Sequence, residues 1–101
     1  MAQIGDPKQL FIHKLGAALT MEETVLSMLE ELEEKANEAD LKEQLSHHAD
    51  ETRQQIANLG QTFGALGIEQ KKQPCPAIEG LEVEGKEMLQ QTAQEYLRPE
   101  N

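Results

Sequence analysis

Aromatic residues are scarce in this chain: Phe11, Phe63 and Tyr96 make up 3% of 101 residues, and tryptophan is absent. A core must therefore be built from Leu, Ile, Val, Met and Ala, which favours helices over a pleated sheet. Cys75 is the one cysteine, which excludes an internal disulfide and a cysteine-rich zinc site. No apolar run is long enough for a signal peptide or a membrane span, so no membrane association and a cytoplasmic location are expected. Cationic residues are few as well. Nine Lys and Arg stand against 19 Asp and Glu, for a formal net charge of -10. Nucleic acid is an unsuitable partner for such a surface, because phosphate binding needs positive charge, whereas cations are drawn to it. Catalytic triads and phosphate-cradling glycine loops are missing too.

What is present reads as one all-α domain over residues 1–101 with three helices. Asp6-Pro7 is a helix start, an N-cap residue followed by proline at the first helical position. The apolar periodicity that follows predicts a helix over 7–36, in which Gly16 costs about 1 kcal/mol relative to alanine. A short connection at Asn37 to Asp40 leads to a second helix over 41–66, with Asp40 and Glu43 spaced as a capping box and Gly67 as its stop. Residues 67–76, with Pro74-Cys75-Pro76 at their end, read as a loop. A third helix is expected over 77–97, ended by Arg98-Pro99.

The first two helices carry the unusual chemistry. Phe11, Leu15, Ala18, Glu22, Val25, Leu29, Leu32 and Ala36 recur at four- and three-residue spacing, so Glu22 occupies an otherwise apolar stripe. A carboxylate in such a stripe needs a cation, a metal or a proton when it is buried. In the second helix Leu41, Leu45, His48, Thr52, Ile56, Leu59, Phe63 and Leu66 trace a comparable row, with His48 in its middle. Gln44, His48, Glu51 and Gln55 form a polar strip beside it. In an antiparallel hairpin Glu22 comes level with about residue 55, one turn from Glu51. Glu22, His48 and Glu51 are thus candidate metal ligands, and a buried Glu22–His48 ion pair that fixes register is the alternative. His47 reads as exposed and His13 as a still weaker ligand candidate, Glu23 as solvent-facing or supporting, and Cys75 as inert. Ile12, Leu19 and Leu26 on one flank, with Met21 and Met28 on the other, widen the apolar face beyond what one helix could cover, which predicts an oligomer.

Three segments, His48-Ala49-Asp50-Glu51-Thr52, Met21-Glu22-Glu23 and Pro74-Cys75-Pro76-Ala77-Ile78-Glu79-Gly80-Leu81, resemble the N-terminal half of the YciF-type ferritin-like family of bacterial stress-associated proteins. That resemblance implies a four-helix bundle around two metal ions, with Glu22, His48 and Glu51 as the ligands from this half. Di-iron carboxylate bundles carry Glu-x-x-His on two helices, whereas this chain has the reversed His48-x-x-Glu51. One chain then offers half a site, and the expected remedy is a ferritin-like four-helix bundle completed by dimerisation of two hairpins, in a dimer or larger even-numbered oligomer. Encapsulated ferritins have a similar architecture, which extends the expectation to a protein shell compartment. The donor set suits two iron ions per dimer, with manganese or zinc as other occupants. Ferrous iron oxidation of the ferroxidase type, or iron storage under stress, is the activity implied. The competing expectation is a metal-free helical assembly or stress protein in which Glu22 and His48 are a structural polar pair.

Overall fold

The computed structural model describes residues 5–92, and within them every regular element is a helix: α1 (Pro7–Lys35), α2 (Ala39–Ala65) and α3 (Pro76–Thr92). The last residues of the expected third helix, 93–97, and Arg98-Pro99 lie outside the described residues. α1 starts as its sequence dictates. Asp6 is extended at φ -152° and ψ 164°, and its side chain accepts the Gln9 amide at 2.8 Å, while Gln9 Oε1 accepts the Gly5 amide at 3.0 Å. Asp6→Ala is expected to cost about 1 kcal/mol, lowering Tm by roughly 4–8 °C in a domain of this size. A thermal melt in chelator checks this.

The connection is tighter than the sequence reading. Ala36 leaves the helix at ψ 141° with its N–H on the Leu32 carbonyl, and α2 begins at Ala39 behind Glu38, which makes no side-chain cap. Asp40 is consequently inside the first turn and forms no capping box with Glu43; its carboxylate acts there on the helix dipole instead. Lys42 Nζ donates to the Glu33 carbonyl at 2.7 Å, satisfying an end group of α1 from the start of α2. At the other end Gly67 takes φ +68°, and Ile68 N–H reaches back to the Phe63 carbonyl at 3.2 Å. That is the left-handed glycine stop.

The hairpin is antiparallel. Lys42 meets Glu33, Arg53 meets Glu30 at 2.9 Å, and Phe63 packs with Leu15 and Leu19. Arg53 also holds Asp50 at 2.7 Å; the Glu30 hydrogen bond is the main reason its pKa is raised. The core lies at the far end from the turn, where Leu15, Leu19 and Phe63, the last 1% exposed, gather Ile56, Leu59, Leu66 and Ile68.

The rows read from the sequence are buried in part: Leu15, Thr52 and Phe63 are buried where expected, and Ile56, Leu59 and Leu66 pack on the core. In α1 the most buried side chain is Leu19, from the flanking row, while Phe11 of the main stripe is exposed and Glu22 is half-buried. In α2 the buried line passes through Ala49 (0% exposed) and Thr52, not through His48. Ala49 is small, so the α1 backbone can approach at that level; His48 is displaced to the edge.

After α2, residues 68–75 run back across α1. They cross at Gly16, where an added Cβ would lie 2.5 Å from the Lys71 carbonyl oxygen and 2.7 Å from Gln73 Cγ. Thr20 Oγ1 donates to the Gln73 carbonyl at 2.6 Å, and Lys72 pairs with Glu23 at 2.8 Å. This strap delivers Pro76, the first residue of α3, and Ile78 is then buried. Proline at a first helical position is tolerated because the missing N–H would have no partner. Among the described residues α3 packs on α1 and not on α2. The three helices form a thin array, 60 × 29 × 15 Å.

Candidate metal centre

Glu22 faces the second helix at the level the hairpin register requires. With the Gln55 amide oriented to satisfy its neighbours, its nitrogen donates to both Glu22 oxygens, at 2.8 and 3.2 Å. A hydrogen bond to a charged group contributes about 1.5–3 kcal/mol when solvent is largely excluded, and Glu22 is only half-buried, so the lower end applies. The carboxylate is thereby satisfied without a cation. No ion pair joins Glu22 to His48 among the described residues, so the buried pair considered from the sequence does not form within one chain.

His48 and Glu51 sit on the open flank of α2. His48 Nδ1 lies 3.6 Å from Glu51 Oε1, and His47 Nε2 lies 3.6 Å from the same oxygen. Both separations exceed a hydrogen bond. The side chains of His48 and Glu51 are 67% and 57% exposed, so water solvates them, and such a pair contributes little to stability. Two imidazoles converging on one carboxylate is a feature the sequence reading passed over in setting His47 aside; the i,i+4 spacing of His47 and Glu51 was the available signal.

The candidate residues therefore fall into two groups in a single chain: Glu22 with Gln55, and His48 with Glu51 and His47. Glu51 is one turn before Gln55, a rise of about 6 Å, and His48 is about 10 Å before it along the axis. Among the described residues no three His, Cys, Asp or Glu side chains form a group that could hold a metal ion. The donor chemistry of Glu22, His48 and Glu51 fits iron, manganese or zinc; the geometry of one chain supplies only part of a coordination shell. Glu23, adjacent to Glu22, is neutralised by Lys72 of the strap. Cys75 is a free, half-buried thiol.

Comparison with known proteins places this architecture in context. Residues 6–98 match the profile of a family described as a domain of unknown function, DUF892. Among solved structures, YcfI of Rhodopseudomonas palustris, a candidate structural protein, superposes with a TM-score of 0.81 at 32% identity, over 88% of this chain. The match covers 57% of that protein's length, so this chain spans little more than half of it. No curated protein matches. No helix among the described residues is long and apolar enough to cross a membrane.

Proposed function

The chain belongs to the DUF892 family, and from that premise we propose that it is a ferritin-like metal-binding protein whose site is completed between two copies. Glu22, His48 and Glu51 of each copy supply the carboxylate and imidazole donors, and iron is the intended occupant, with manganese or zinc as competitors. The observation that carries this reading is Glu22: an ionisable side chain midway along α1, in an otherwise apolar stripe, that no residue of α2 pairs with opposite charge. Gln55 holds it in place and leaves its charge available. The net charge of -10 favours cation capture. Iron in such a site supplies electron transfer toward oxygen or peroxide; the chain's own part is to bind and orient the ion with side chains from α1 and α2.

A second reading has an observation of its own. Because the Gln55 amide satisfies Glu22 directly, the polar strip can serve only to fix the hairpin register in a metal-free assembly. Titration of the purified protein with ferrous iron in air separates the two. The metal reading expects saturable binding and oxidation faster than in buffer, and absence of both would leave the register role alone.

A further inference from the structure

We propose that Gln55 is a further ligand to the cation that Glu22 binds: its side-chain amide points nitrogen at the carboxylate in the metal-free protein and turns half a revolution to offer oxygen when a divalent cation enters. This rests on the reading of Glu22 as a ligand and adds a donor from α2 of the same chain. The Gln55 amide meets the two Glu22 oxygens at 2.8 and 3.2 Å. With nitrogen in front these are hydrogen-bond lengths. They are also the separations of neighbouring oxygens in an octahedral shell, since two bonds of about 2.1 Å at a right angle place their ligands about 3.0 Å apart. Both states therefore fit the same side-chain positions.

The chemistry of the side chain allows the exchange. A glutamine amide carries two N–H donors on one atom and two lone pairs on the other, and its terminal torsion is broad and two-fold. Gln55 is exposed and Glu22 is half-buried, so the amide can turn without disturbing the core and an ion can reach the pair from solvent. Side-chain carbonyl oxygens of this kind are ordinary ligands of hard divalent cations. Other residue types at this position would perform one task only. A lysine would cancel the Glu22 charge and exclude the cation, and a leucine would leave the carboxylate without a donor. Glutamine satisfies Glu22 and keeps its charge. Gln55 also follows Glu51 by four residues, which makes the two side chains neighbours on α2, roughly 5–6 Å apart at Cβ. The amide thus stands beside both groups of candidate ligands, Glu22 across the hairpin and Glu51 along the helix.

Manganous-ion titration of the full chain, with wild type beside Gln55→Met, Gln55→Glu and Glu22→Gln, tests this together with side-chain NMR of wild type. Methionine keeps the length and removes the amide, so affinity should fall at least about tenfold with helicity by circular dichroism unchanged. Glutamate keeps an oxygen in place but repels Glu22 when no metal is bound. Its Tm in chelator should fall below that of wild type, while its affinity for manganous ion should equal or exceed wild type's. The reversal is read in wild type itself. In chelator the Gln55 side-chain N–H protons should show the downfield shift of donors to a carboxylate; saturation with zinc, which is diamagnetic, should remove that shift and move the amide carbonyl carbon. Wild-type affinity in Gln55→Met, a Gln55→Glu that binds as weakly as Gln55→Met, or amide protons that keep their shift with zinc bound would each overturn the role of Gln55 and leave Glu22 a ligand. Binding that survives Glu22→Gln, or none at all in wild type, overturns both.

Discussion

On the proposed shared site, Glu22→Gln is expected to lower metal affinity by more than about 100-fold, because removing only an outer partner of a ligand costs about 10–100-fold and a direct ligand would be lost from both copies at once. His48→Ala should do the same. The effect on the metal-free protein distinguishes a ligand from a structural group. Glutamine still accepts a hydrogen bond from Gln55, but the bond becomes a neutral one, a loss of about 1 kcal/mol. Against this, two copies no longer oppose their Glu22 charges near Glu51, so the assembled metal-free protein should be at least as stable as wild type. Added metal should then raise the Tm of wild type and leave that of Glu22→Gln unchanged; at 100 times Kd the linkage contributes about 2.7 kcal/mol. Thermal unfolding in chelator and in manganous ion reads both effects. Destabilisation of the variant in chelator, together with a wild type indifferent to metal, would mean that the strip serves only the register.

The second large effect is expected at Gly16. Alanine is favoured over glycine by about 1 kcal/mol within a helix, so an exposed glycine in α1 would be improved by the change. Gly16 is buried beneath the strap, and the new methyl would stand 2.5 Å from the Lys71 carbonyl oxygen, a backbone atom that cannot rotate away. The strap must lift. Overpacking of this kind costs about 1–3 kcal/mol, and loss of the Thr20–Gln73 hydrogen bond adds about 1 kcal/mol. Set against the propensity gain, Gly16→Ala should destabilise by about 2 kcal/mol. In urea the midpoint should fall with the slope unchanged. Thr20→Val, which removes the hydroxyl and keeps the shape, should show only the smaller, hydrogen-bond share. A rise in stability for Gly16→Ala would mean that the strap does not lie across α1 as described.

These two positions show how far the sequence could be read. Helix existence followed from the apolar periodicity and from Asp6-Pro7 and Gly67, all of which act locally. The register followed as well: an antiparallel hairpin about a short turn brings residue 22 level with residue 55, and Gln55 does hold Glu22. Which members of each row are buried followed only in part: Leu15, Thr52 and Phe63 are, and Phe11 and His48 are not. α1 is apolar over so wide an arc that periodicity cannot decide which of its residues α2 covers: Leu15 of the main stripe and Leu19 of the flanking row are both buried, while Phe11 is exposed. In α2 the fully buried position is Ala49, one residue past His48, and His48 is exposed. Gly16 read as a weak point in a helix because the segment that requires it lies more than fifty residues further on. The missed cap at Asp40 has a simpler cause: Glu38 and Ala39 can start the helix first, and helix ends are set by tertiary context as much as by the capping residue.

The central claim, that two copies share one metal centre, is tested most directly by an anaerobic titration with manganous or ferrous ion followed by sedimentation, with bound metal quantified across the boundary. The expected result is saturation at two ions per dimer, stoichiometric with Glu22, His48 and Glu51 from each copy, and metal that travels with the dimer alone. Metal bound by a monomer, or a dimer that carries none, would contradict it.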